Sequence, residues 1–188
     1  MVLEDCYYEY SELMSYVKDV AYDESLLLWH IATELCYNPD EHSHIILDCD
    51  DYNARKLSKY LSDYMMYLLY QQPGLMSEVS GIAKRRFRDT LAEAQKFFSQ
   101  RRRPGQLTEL RMDYQRILDV DTSFKPAHVK GNISKSALFD ASTLAKELKK
   151  LGTQRWEVTS KVWVELLSYA ASRSRGNGHV QQLSKGAW

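Results

Sequence analysis

The alternation of apolar and polar residues along the chain has the period of an α-helix. The most apolar stretch covers residues 156–172, where a rotation of about 100° per residue leaves one narrow polar stripe. That stripe consists of Glu157, Lys161, Glu165, Ser168 and Ser172. Other helices must cover the remaining circumference. The pattern therefore predicts an all-α protein, a compact bundle of six to seven helices around this central helix.

Six further segments have the same period and are separated by turn-forming or polar residues. They cover residues 7–22, 24–37, 53–70, 82–100, 108–120 and 134–151. Asn38-Pro39-Asp40 is expected to end the second helix, and Gly152 suits the position after the sixth. The short connection from the sixth helix to the central helix predicts that these two are antiparallel neighbours.

Two of these helices have apolar faces that predict which side is buried. In helix 53–70 the expected core face is Leu57, Tyr60, Leu61, Tyr64, Met65, Leu68 and Leu69, with Ser58, Ser62 and Asp63 facing outward. In helix 82–100 the expected core residues are Ala83, Phe87, Leu91, Ala94 and Phe98. Both faces follow from helical spacing alone.

The order of the segments predicts the domain organisation. Residues 1–22 form an acidic helical extension, and residues 23–188 form a single all-α domain. The best candidate linker within that domain is the polar stretch 121–132, which Pro126 and Gly131 interrupt.

Composition indicates a globular chain in a reducing compartment. Its 188 residues are 44% hydrophobic, enough for a sizeable core. Three cysteines without a CxxC pair favour neither a disulfide framework nor a zinc ribbon. The acidic N-terminal residues do not resemble a signal peptide, and no run reaches the roughly 18 apolar residues of a membrane span. We expect a soluble, intracellular chain.

Charge is separated along the chain although the net charge is zero. Residues 1–51 contain 13 acids and one base, whereas residues 52–188 carry an excess of 12 bases. Either the acidic front docks on the basic remainder, or a basic surface meets an anionic partner. The densest basic segment is 84–103. Its candidate anion contacts are Lys84, Arg85, Arg86, Arg88, Arg101, Arg102 and Arg103.

Motifs for catalysis and metal binding are weak. His42-Ser43-His44 precedes a group of Asp48, Cys49, Asp50 and Asp51, which are possible zinc ligands, but the spacing matches no dedicated site, so a solvated acidic loop is favoured. His30 is interpreted as a hydrogen-bonding residue at the edge of the core. Because no nucleophile elbow, zinc motif or phosphate loop is present, we expect no catalytic residue, no cofactor and no metal.

Five stretches of the sequence resemble a known plant family. They are Asp23-Glu24-Ser25 with the run 28–36 (LWHIATELC), the run 61–69 (LSDYMMYLL) with Pro73, Leu144-Ala145, Trp156-Glu157-Val158 with the run 162–167 (VWVELL), and His179 with Leu183. Together they are similar to the family catalogued as domain of unknown function 594. The resemblance implies the cytosolic C-terminal part of a plant protein whose other half is a multi-span membrane domain. It carries no catalytic residues.

This resemblance leads to two expectations about function. The first is a non-catalytic interaction or scaffold domain, which binds an unknown protein or associates with itself. The alternative is a module that contacts lipid headgroups or, less expected, nucleic-acid phosphates through segment 84–103. The family's pattern continues with a further apolar helix where this chain has Gly186-Ala187-Trp188. A packing element is therefore expected to be missing, which favours self-association.

Overall fold

The computed structural model describes residues 10–41, 48–72, 82–101, 110–120 and 136–173. Within these ranges the chain forms seven α-helices and no strand, which confirms the all-α prediction. The helices are α1 (Ser11–Lys18), α2 (Tyr22–Glu41), α3 (Cys49–Gln71), α4 (Ala83–Arg101), α5 (Leu110–Leu118), α6 (Ala137–Lys150) and α7 (Arg155–Arg173). A short 3-10 turn, Gly152–Gln154, joins α6 to α7.

Side-chain caps fix where α3 and α6 begin. The Asp48 carboxylate accepts a hydrogen bond from the backbone N–H of Asp51 at 2.8 Å, so α3 starts before the predicted residue 53. Asp50 and Asp51 fall in its first turn, where negative charge favours the helix N-terminus. Part of the predicted acidic loop is therefore the start of a helix. Ser136 caps α6 in the same way.

Two other helix ends test predictions made from turn-forming residues. Gly152 has a φ of 59° just beyond α6, the left-handed conformation that favours glycine at this position. The expected end of α2 at residues 38–40 is wrong, because the helix continues to Glu41. Pro39 lies in the last turn, where its missing N–H removes one backbone bond at most. The side-chain amide of Asn38 also donates to the Glu34 carbonyl at 3.0 Å.

The helix with the most extensive packing is α2. It contacts α1, α3, α4, α5 and α6, and its run of Leu26, Leu28 and Trp29 is fully buried. The most apolar helix, α7, packs mainly on α3 and leaves Val164 and Tyr169 exposed among the described residues. Its contact with α6 is minor, since α6 lies chiefly against α2. The centre of the bundle is thus shared by α2 and the inner face of α7.

The buried face of α3 differs from the predicted one. Ser58 and Ser62 have no exposed surface, whereas Leu57 and Tyr60 are 43% and 66% exposed. Small serine side chains allow close approach of α2 and α7, and the Ser58 hydroxyl is satisfied by the Ala54 carbonyl at 2.8 Å. The buried residues of α3 are Arg55, Ser58, Ser62, Met65, Met66, Leu68 and Leu69.

In α4 the predicted core face is partly correct. Ala83 is buried and Phe87, Ala94 and Phe98 are partly buried, but Leu91 is exposed. Phe97 is buried in its place and meets the ring of Phe139 on α6 edge-on, with ring centroids 5.8 Å apart. Contact with α6 therefore sets the rotation of α4.

Several predictions concern parts of the chain outside the described residues. These are the linker 121–132, the pair His42 and His44, Arg102 and Arg103, and the C-terminal segment from residue 174. Across the described helices, none has the length and apolar character needed to cross a membrane.

Candidate functional site

The basic residues of α4 differ in the contacts that they make. Arg86 binds two acids at the start of α2, with Nε 3.1 Å from the Asp23 carboxylate and an Nη atom 2.7 Å from Glu24. Asp23 is only 3% exposed, so this ion pair lies in the interface between α2 and α4. Arg86 is therefore held by the acidic front of the chain.

The other candidate anion contacts of α4 have a different environment. Lys84, Arg85 and Arg88 are exposed, although the acidic Asp89 is exposed beside them. For Arg101 the structure describes only the backbone, within α4, and Arg102 and Arg103 lie outside the described residues. Only three of the seven predicted contacts are thus placed on an open surface by the described part of the chain.

A cluster of polar side chains lies between α2 and α3. We call it the α2–α3 polar cluster, and it consists of His30, Glu34, Lys59, Ser62 and Asp63. His30 and Glu34 are one turn apart on α2, and Lys59 and Asp63 are one turn apart on α3, so each pair projects from one face of its helix. The facing helices bring the two pairs together.

Short contacts connect the members of this cluster. The His30 Nδ1 atom lies 2.8 Å from the Ser62 hydroxyl, which confirms His30 as a hydrogen-bonding residue at the edge of the core. The Lys59 ammonium group lies 2.7 Å from a Glu34 oxygen and 2.7 and 2.8 Å from the two Asp63 oxygens. The second Glu34 oxygen accepts a bond from Asn38 at 2.9 Å.

Burial and charge act on the two bases of the cluster in different ways. Burial lowers the pKa of His30 below its ordinary value, and the nearby Glu34 and Asp63 only partly oppose this. Burial also acts to lower the pKa of Lys59, but its bonds to Asp63 and Glu34 outweigh that effect and the pKa is raised. The neutral imidazole and the charged ammonium are thus the favoured states.

The combination of Ser62, His30 and Glu34 contains the residue types of a hydrolase triad. A nucleophile must reach its substrate, yet Ser62 has no exposed surface and its hydroxyl faces the helix interface. The arrangement therefore cannot perform acyl transfer in this conformation. The neutral imidazole of His30 and the carboxylates of Glu34 and Asp63 are instead electron-pair donors of the kind that bind cations.

A second feature is a row of side chains along the outside of α3, all of them exposed except the partly buried Lys56. Spaced by three or four residues, they share one helix face. This outer α3 stripe consists of Tyr52, Lys56, Tyr60, Asp63, Tyr67 and Tyr70. The Lys56 ammonium lies 4.5 Å from the centre of the Tyr52 ring, and the Tyr70 ring packs against Phe87 of α4 with centroids 5.0 Å apart.

Comparison with known families gives one match. Residues 149–187 match the family model described as "Protein of unknown function, DUF594". The match supports membership of the DUF594 family. No curated protein matches the chain, and no solved structure matches it.

The matched segment includes all of α7, with the fully buried Trp156 and Trp163. Because the family is one of unknown function, the match indicates no enzyme family. The α2–α3 polar cluster and the outer α3 stripe lie before residue 149, outside the match. Their interpretation depends on geometry alone.

Sequence reasoning missed both features, each for a different reason. His30 and Glu34, and likewise Lys59 and Asp63, are visible as pairs four residues apart, but the pairing of α2 with α3 is not. The outer stripe was missed because tyrosines at helical spacing were expected to face the core.

Proposed function

We propose that this DUF594 chain is a non-catalytic protein-interaction domain whose binding surface is the outer α3 stripe. The observation that carries the proposal is the exposure of four tyrosines on one helix face, with Tyr60 at 66%. Tyrosine is enriched at interfaces because its ring offers a large contact area at low entropic cost while its hydroxyl bonds to polar groups.

The charges on the stripe favour a second copy of this chain as the partner. Lys56 and Asp63 lie on opposite sides of Tyr60 along α3, and the Asp63 side chain stays 50% exposed although both of its oxygens bind Lys59 of the same chain. When two such helices pair antiparallel around a twofold axis near Tyr60, Lys56 of one copy faces Asp63 of the other. A surface with both charges placed in this way is complementary to itself, as an interface with twofold symmetry requires.

Resemblance to the family supports a further part of the proposal. The similar plant proteins join such a domain to a multi-span membrane half, so we place this chain on the cytosolic side of a plant membrane as a scaffold. Self-association through α3 would then bring two membrane halves together.

Sedimentation velocity over a range of concentrations tests the proposal. We expect the unmodified chain to dimerise and a Tyr60→Glu/Tyr67→Glu variant to remain monomeric, because each copy would bury two unpaired carboxylates in the interface. Val164→Glu is the control, since Val164 is an exposed apolar residue on another helix, α7. A monomeric unmodified chain, or equal loss of dimer in the control, would overturn the proposal.

The alternative function is an anion-binding module, which the exposure of Lys84, Arg85 and Arg88 favours. Its weakness is that Arg86 already binds Asp23 and Glu24. Co-sedimentation with anionic and neutral vesicles distinguishes the two functions. Binding to anionic vesicles that weakens with salt and is lost in a Lys84→Glu/Arg85→Glu/Arg88→Glu variant would support this alternative. Equal sedimentation with both vesicle types would exclude it.

A further inference from the structure

We propose that His30, Glu34 and Asp63 form a binding site for a divalent transition-metal ion such as Zn²⁺, and that the Lys59 ammonium group competes for that site. The three side chains lie close together. One ligand atom from each of the three residues lies within 4.8 Å of the other two. Zinc binds imidazole nitrogen and carboxylate oxygen at about 2.0–2.2 Å, so side-chain shifts of about 1 Å would bring the three donors to one ion.

The helices supply these ligands in a rigid frame. His30 and Glu34 are one turn apart on α2, which is the most enclosed helix, and Asp63 projects toward them from α3. Two ligands from one helix and one from its neighbour fix the position of an ion between the helices. Since Asp63 is exposed, the fourth position is open to water.

Neighbouring groups already orient two of the ligands. The Ser62 hydroxyl contacts His30 Nδ1 at 2.8 Å, which holds the imidazole ring in place beside the two carboxylates. The Asn38 amide holds one Glu34 oxygen at 2.9 Å and leaves the other directed toward the cluster. Bonds of this kind to the outer atoms of metal ligands tune metal affinity.

Lys59 shows that the position between the carboxylates accepts a cation. Its ammonium group lies within 2.8 Å of one Glu34 oxygen and both Asp63 oxygens. Two carboxylates and a neutral imidazole carry two negative charges, of which Lys59 balances one, whereas a divalent ion balances both. The Lys59 side chain is 24% exposed and its flexible stem can turn toward water. Metal binding would therefore exchange an ammonium group for an ion.

Calorimetric titration with Zn²⁺ tests the exchange. All variants carry His42→Gln and His44→Gln, because that histidine pair is another possible source of metal binding. In this background we expect Lys59→Met to bind Zn²⁺ at least about tenfold more tightly than the chain with Lys59, since the competing charge is gone. Adding His30→Gln to Lys59→Met should remove that gain.

Two further measurements make the result independent of folding defects. Thermal unfolding by circular dichroism shows whether each variant is folded. The Asp63→Asn variant removes a ligand but keeps Lys59, and it should bind Zn²⁺ more weakly than the background chain. Co²⁺ should give visible absorption with Lys59→Met, and the His30→Gln addition should change its bands. Equal Zn²⁺ affinity of Lys59→Met with and without His30, in folded proteins, would overturn the proposal.

Discussion

The indole Nε1 of Trp163 donates a hydrogen bond to Oγ1 of Thr33 at 3.1 Å, where both side chains are fully buried. The same hydroxyl donates to the Trp29 carbonyl one turn earlier in α2, at 2.7 Å. Thr33 thus serves as acceptor and donor at once. Through it, the most apolar helix, α7, is joined to the most enclosed helix, α2, by a polar contact inside the core.

Replacing Thr33 by Val keeps the shape of the side chain but removes the acceptor for Trp163. We expect a loss of about 1–3 kcal/mol in the free energy of unfolding, the cost of leaving a buried donor unsatisfied. Urea unfolding measures it. In a Trp163→Phe background the same change should cost clearly less, because no indole N–H remains. An equal cost in both backgrounds would contradict the role given to this bond.

Replacing Trp163 by Ala should destabilise the protein by about 3–5 kcal/mol, because it removes a large, fully buried side chain. The neighbouring Val164→Ala is the control and should cost roughly 0.5 kcal/mol or less, since Val164 is exposed. Chemical denaturation of both variants gives the comparison. A loss under about 1 kcal/mol for Trp163→Ala would mean that α7 is not part of the core.

Removal of the Arg86 side chain should leave Asp23 and Glu24 without their counter-charge. For Arg86→Met we expect a loss of about 3 kcal/mol, at the low end for a broken buried ion pair because the arginine side chain is 29% exposed. Arg88→Met, on the exposed face of the same helix, should change stability by less than about 0.5 kcal/mol. Similar values for the two variants would show that the ion pair contributes little.

Stability at alkaline pH should depend on Tyr22. Burial and, to a smaller degree, the nearby Tyr169 raise the pKa of Tyr22 well above its ordinary value, and its hydroxyl donates to the Leu166 carbonyl. In the unfolded chain tyrosine ionises near about pH 10, so unfolding above that pH releases a proton that the folded state keeps. The stability that Tyr22 contributes is therefore fully present below about pH 10 and decreases above it.

The Tyr22→Phe variant isolates this effect. Above about pH 10 the slope of unfolding free energy against pH should be less steep than in the unmodified chain by up to about 1.4 kcal/mol per pH unit. Urea unfolding between pH 8 and 11 gives both slopes. Tyr16 and Tyr114, whose pKa values burial also raises, contribute equally in both chains. Parallel curves would show that Tyr22 ionises normally in the folded state.

The sequence was sufficient to predict most helices, because long periodic segments such as 134–151 have a clear apolar face. Leu138, Ala141, Ala145 and Leu148 are buried as that face requires. The pattern of apolar residues was misleading for α3. Its inner face contains Ser58 and Ser62, whose small side chains permit close helix contact, while tyrosines face outward. Which helices become neighbours, and hence the α2–α3 polar cluster, depends on tertiary packing that helical period does not encode.

The extensive contact between α2 and α6 affects how this protein is made. About a hundred residues separate the two helices along the chain. A ribosome adding about 5–20 residues per second therefore completes α2 roughly 5–20 s before α6 has been made. During that interval the face of α2 that includes Cys36, whose thiol lies 3.8 Å from the Ala145 carbonyl of α6, lacks its main partner in the nascent chain. Chaperones that bind apolar helices at the ribosome would have that time to protect it.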